Sequence, residues 1–121
     1  MPESEQNRVA LLSARGGATR QRVQAEIDSI WTNLKRDPKA KQVARESGIS
    51  PDIFRKTQPA PFSAGQPEGQ ILETGAILVI IGTAALGWAT KKALDVLWDR
   101  WIWPKLQEEF PDLEVKDRYD R

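Results

Sequence analysis

Two carboxylates one helical turn apart, Asp95 and Asp99 in LDVLWDRW, come nearest to a catalytic pair in this 121-residue chain. Paired acids on one helix face can pass a proton or hold a divalent cation, but both tasks need further ligands or a base close by. The chain contains no His and no Cys. That removes the commonest general base, the thiolate nucleophile and the usual zinc ligands. Ser13, Ser29 and Ser63 therefore have no histidine to activate them. Gly16-Gly17 follows Arg15 but lacks the Lys-Ser/Thr and the preceding strand of a phosphate loop. Asp95 and Asp99 read as a solvated helix face, and the chain as non-enzymatic, with no catalytic, metal-ligating or cofactor-binding residue.

A second chemical group is cationic. Arg45, Arg55 and Lys56 lie in KQVARESGISPDIFRKT and are placed to meet phosphates or an acidic partner. The stretch resembles a helix-turn-helix over about twenty residues, with Gly48 at the turn and Ile53-Phe54 as anchor. Three features oppose a DNA reader. The second helix stops before Pro59, Asp52 sits at its start, and the chain is balanced at 18 Lys+Arg against 17 Asp+Glu. Nucleic acid is disfavoured as a partner, and a protein partner at this N-terminal module fits better.

The third group is small and aromatic. GAILVIIGTAALGWAT, residues 75–90, is the one long apolar run. The uncharged stretch 74–90 would extend about 25 Å as a helix, against a hydrocarbon core of about 30 Å. Gly75, Gly82, Ala85, Ala89 and Ala93 mark a packing face along it, the small-residue pattern by which helices associate in lipid. Lys91 and Lys92 follow at once, and Trp88, Trp98, Trp101 and Trp103 cluster on the same side, as a membrane-interface belt does. Lys91, Lys92, Arg100 and Lys105 would place the C-terminal side in the cytoplasm, but moving the N-terminal module across is harder. The N-terminal module is therefore expected to stay cytoplasmic, with no signal peptide in MPESEQNRVALLSARGG.

The elements that position these groups read as helices. In RQRVQAEIDSIWTNLKRD, Val23, Ile27, Ile30, Trp31 and Leu34 form one stripe of a 3.6-residue period. Asp37-Pro38 restarts the chain and Gly48 suits a left-handed helix end. The expectation is an all-α protein. Residues 1–57 form a helical module, with helices at about 19–36, 38–47 and 51–57 and a weaker one around Arg8–Ala14. Residues 58–70 form a Pro/Gly linker with no regular element. Residues 71–110 hold a transmembrane helix continued by an amphipathic juxtamembrane helix that Pro104 ends or kinks, and 111–121 a loosely ordered polar tail. The expected function is a single-pass membrane-inserting protein, self-associating as a homo-oligomer or within a membrane complex, that anchors to or permeabilises lipid under control of its N-terminal module. The alternative is a DNA-binding or adaptor protein of helix-turn-helix type whose apolar helix forms a subunit interface in a soluble complex.

Overall fold

The computed structural model describes residues 8–13, 18–50, 60–65, 76–82, 85 and 89–119. Strand β1 is Arg8–Ser13, helix α1 Arg20–Arg36, helix α2 Ala40–Ser47, strand β2 Phe62–Gly65 and strand β3 Ala76–Ile81. Helix α3, Lys91–Leu97, passes through a π turn, Trp98–Ile102, into α4, Trp103–Glu109. Strand β4, Glu114–Arg118, follows. The strands form a four-stranded antiparallel sheet in the order β2-β3-β1-β4. β1 and β2 thus run the same way with β3 between them, and β3 and β4 run the same way with β1 between them. Two interleaved β-α-β units result, the split or ferredoxin-like arrangement.

Helical periodicity explains α1. Val23, Ile27, Ile30, Trp31 and Leu34 are its buried residues, and Thr19 caps it by accepting from Arg22 N–H at 3.2 Å. α2 ends at Gly48, whose φ of 79° is the left-handed conformation that glycine adopts without a Cβ penalty. Asp37 does not open α2 as an N-cap. It closes α1, and its carboxylate accepts from Lys39 N–H at 2.8 Å. In the sheet, Ile77, Val79 and Ile81 are buried while Leu78 and Ile80 are half-buried. They pair with Leu12, Ala10 and Phe62 on the helix-covered face. Trp98 is fully buried at the centre, with its ring 5.2 Å from Phe62 edge-to-face and 6.0 Å from Trp103 stacked.

This architecture overturns the all-α expectation. The core of GAILVIIGTAALGWAT is a central strand, and among the described residues no helix is long and apolar enough to cross a membrane. The membrane-inserting function, the single-pass membrane location and the cytoplasmic placing of an N-terminal module all rested on that helix and fall with it. So does the alternative, whose subunit interface needed the same apolar helix. The physical reason lies in an ambiguity of short apolar runs. A strand buried in the middle of a sheet is as free of polar side chains as a lipid-bound helix, and periodicity does not separate them. β-branched Ile77, Val79, Ile80 and Ile81 favour the strand.

Three further segments differ from expectation. RVALLS is a strand where a weak helix was expected, FSAG is a strand inside the Pro/Gly linker, and EVKDR in the tail is an edge strand. The helix expected at 51–57 lies outside the described residues.

Candidate functional site

One helical rod, α3 through α4, carries two polar sites of opposite character. On its β4 side Asp95 is 5% exposed and fully engaged. Its Oδ2 accepts from Lys91 Nζ at 2.7 Å and its Oδ1 from Arg118 at 3.4 Å. Arg118 also forms a two-pronged pair with Asp99, 3.1 Å on each prong, and donates to the Val9 carbonyl at 2.6 Å. Lys91 Nζ reaches the Tyr119 carbonyl. Such bidentate geometry is the strong form of ion pair. It ties α3 to β4 and to the irregular step in β1 at Val9. The Asp95–Asp99 pair, expected to be a solvated face, is therefore a structural clamp, with only Asp99 half-exposed.

On the α2 side the same rod forms a cleft. Lys39, Gln42, Val43, Glu46 and Ser47 line one wall, Arg100 and Trp101 the other, around a volume of about 350 Å³. A neighbouring recess of about 300 Å³ shares Glu46 and Ser47 and adds Arg45, Gly48, Thr90, Lys92, Ala93 and Val96. Two buried polar atoms here have no hydrogen-bond partner, Ser47 Oγ and Trp101 Nε1. Ser47 is 4% exposed. A helical serine commonly bonds back to the carbonyl four residues earlier, and a buried indole N–H usually finds an acceptor. Neither occurs. Each such unmade bond costs about 1–3 kcal/mol in an isolated fold.

Pro104 explains why Arg100 and Trp101 reach the cleft. A proline inside a helix cannot donate to the carbonyl four residues back, here that of Arg100, and its ring crowds that carbonyl. The helix neither ends nor breaks at Pro104. It widens into the π turn, in which Trp103 N–H bonds to the Trp98 carbonyl. Single π turns of this kind recur at functional sites.

The cleft is cationic on balance. Lys39, Arg100, Arg45 and Lys92 line the two recesses against Glu46, and Lys105 Nζ lies 4.6 Å from the Trp101 ring centroid. A third groove, of about 460 Å³ and larger than either recess, lies between α1 and β2 along Arg20, Gln21, Gln24, Ala25, Asp28 and Ala64. No buried side-chain atom without a partner belongs to it, so the α2 cleft carries the stronger chemical signal. Elsewhere, burial first and Glu109 second hold the Glu26 carboxyl above the usual carboxylate range.

The residues singled out in the sequence scatter and partly regroup. Arg45, Lys92 and Ala93 meet in the smaller recess and Trp101 lines the larger one. Ala93 lies against the end of α2, where a Cβ on Gly48 would sit 3.7 Å from its own. Gly82 instead follows β3 and donates to the Pro61 carbonyl, while Ala85 is buried and its carbonyl accepts from Ala89 N–H. Trp98 is core and Trp103 packs on it, while Lys91 belongs to the clamp. Gly75, Trp88, Arg55 and Lys56 lie outside the described residues. Lys39, Glu46 and Ser47 were not singled out from sequence, and Arg100 was weighed only as one of the charges flanking the apolar run. The available signal was Pro104, a proline placed where the apolar helical spacing continues past it to Leu106.

Searches of protein-family models, curated proteins and solved structures find no match to this chain.

Proposed function

We propose that this chain is a non-catalytic binding module whose recognition site is the cleft between α2 and the π turn, and that it takes a small carboxylate-bearing ligand. One observation carries the reading. Two buried hydrogen-bonding atoms without partners, Ser47 Oγ and Trp101 Nε1, belong to residues that line one cleft together with Arg100. A concave site with a few convergent polar groups is where ligands usually sit, and this volume lies within the ordinary range. An O–H donor, an N–H donor and a guanidinium match the two oxygens of a planar carboxylate. The surrounding cations favour negative charge, and Glu46 excludes ligands with dense charge beside it. The absence of His and Cys supports binding without chemistry.

A thermal-shift panel tests this reading. Acetate, succinate, inorganic phosphate and simple ammonium compounds are titrated against wild type and Arg100→Ala. A ligand that binds only the folded state raises Tm in proportion to its occupancy. The expected result is a saturable rise with a carboxylate, absent with ammonium compounds and lost in Arg100→Ala. Equal response of both proteins to every compound contradicts the reading.

A further inference from the structure

The two edges of the sheet are closed in different ways. β4 reads EVKDR, and its charges and the Asp117 carboxylate on Arg118 N–H at 2.9 Å discourage a further strand. β2 reads FSAG, with no charge and no proline. Among the described residues no strand lies beyond it. One side chain among the described residues, that of Gln24, is seen to hold the outward-facing backbone of β2. Gln24 Oε1 accepts from Ala64 N–H at 2.7 Å, and Gln24 Nε2 donates to the Phe62 carbonyl at 3.2 Å. Asp28 steadies that amide, accepting from Nε2 at 3.0 Å.

The geometry of those two bonds is specific. They straddle Ser63, leaving from the carbonyl before it and the N–H after it. That is the pattern by which one residue of a parallel neighbouring strand pairs with its partner. The Gln24 amide therefore stands in for the N–H and C=O of one residue of an added strand. Beside it runs the groove of about 460 Å³ between α1 and β2.

We propose that the β2 edge is a strand-addition site for an extended segment of a partner protein, which docks parallel to β2 by displacing the Gln24 amide. Main-chain hydrogen bonds supply the affinity in such recognition and flanking pockets the selectivity. Arg20 and Asp28 line the groove and set charges of both signs along the incoming chain. A second copy of this chain fits less well. The two-fold axis that extends one continuous sheet across a dimer pairs like strands antiparallel, whereas the Gln24 bonds have the parallel pattern. Gln24 then acts as a latch, filling the edge until a peptide replaces it. The site is separate from the α2 cleft and does not depend on it.

The test uses a displayed library of linear peptides, selected on full-length Gln24→Met and counter-selected on wild type. Methionine keeps the side-chain length and removes both hydrogen-bonding atoms, and Gln24→Ala serves as the second variant should the first fail to fold. The expected outcome is a peptide that binds the variant about tenfold tighter than wild type, the net worth of one hydrogen bond. It protects the Ala64 amide from hydrogen exchange and loses binding when its alternate amides are N-methylated. Three results overturn the proposal. These are no enrichment on either variant, enriched peptides that leave Ala64 exchange unchanged, and variants that dimerise through β2 in place of binding peptide.

Discussion

The clamp at Asp95 and the cleft at Trp101 lie on one helical rod less than two turns apart, yet their polar groups are treated oppositely. In the clamp, Lys91, Asp95, Asp99 and Arg118 satisfy one another and three backbone carbonyls, those of Val9, Asp95 and Tyr119. In the cleft, Ser47 Oγ and Trp101 Nε1 bond to nothing. Folding drives buried polar groups toward full pairing, because an orphan costs more than a pair gains. In the proposed reading, the cleft keeps its unpaired groups for a ligand. Removing a clamp residue should therefore damage the fold, and removing a cleft residue should weaken binding without destabilising the fold.

The largest effect is expected from Asp95→Ala. It takes from Lys91 its carboxylate partner and from Arg118 one of three carboxylate contacts, in a poorly solvated position, and breaking such a pair costs about 3 kcal/mol. Urea unfolding measures it, and ligand affinity in the cleft should stay as in wild type. Arg100→Ala should show the reverse. Loss of a charge-assisted contact weakens carboxylate binding about tenfold, worth about 1.4 kcal/mol, while stability moves by no more than about 0.5 kcal/mol. Calorimetric titration beside urea unfolding separates the two.

Ser47→Ala sharpens the contrast by its sign. Deleting an unpartnered buried hydroxyl, and placing alanine in a helix, should stabilise the protein by about 1 kcal/mol. A cleft serine that proved stabilising would belong with the clamp. Asp99→Ala should cost less than about 1 kcal/mol, because its carboxylate is half-exposed and water screens the pair.

The smallest effect concerns pH. Burial and Glu109 raise the Glu26 carboxyl in the folded state, so the native protein holds that proton more tightly than the unfolded chain. The contribution is fully present below the ordinary carboxylate range and is lost as pH rises through the raised folded value. Glu26→Gln should flatten that decline, seen as a Tm that falls less between mildly acidic and neutral pH.

What the sequence disclosed follows from how local each signal is. The α1 stripe and the Gly48 helix end are written in consecutive residues and appear where expected. The sheet is not. β1 shows little alternation because its bulge at Val9 interrupts the period, β2 has four residues between prolines and glycines, and β4 is charged throughout. β3 is apolar on both faces, a pattern shared with a buried helix. The sites divide the same way. Arg45, Lys92, Ala93 and Trp101 were noticed for charge, size or aromaticity, but their meeting depends on α2 packing against α3. Asp95 and Asp99 were visible as a pair, whereas Arg118 is 23 and 19 residues away in the chain. No local pattern announces such a partner. Pro104 was legible as a helix disturbance, but the π turn that takes the place of a helix end was not, and Trp98 and Leu106 are both buried on either side of the proline.

The most direct test of the cleft as a binding site follows the Trp101 indole N–H by ¹⁵N nuclear magnetic resonance while succinate is added, with Trp101→Phe identifying the signal. The expected result is a saturable downfield proton shift as the unpartnered donor gains a carboxylate acceptor, with the other indole signals nearly still. An indole signal that does not move at any succinate concentration, or that moves together with every other tryptophan, contradicts the assignment of the cleft as the recognition site.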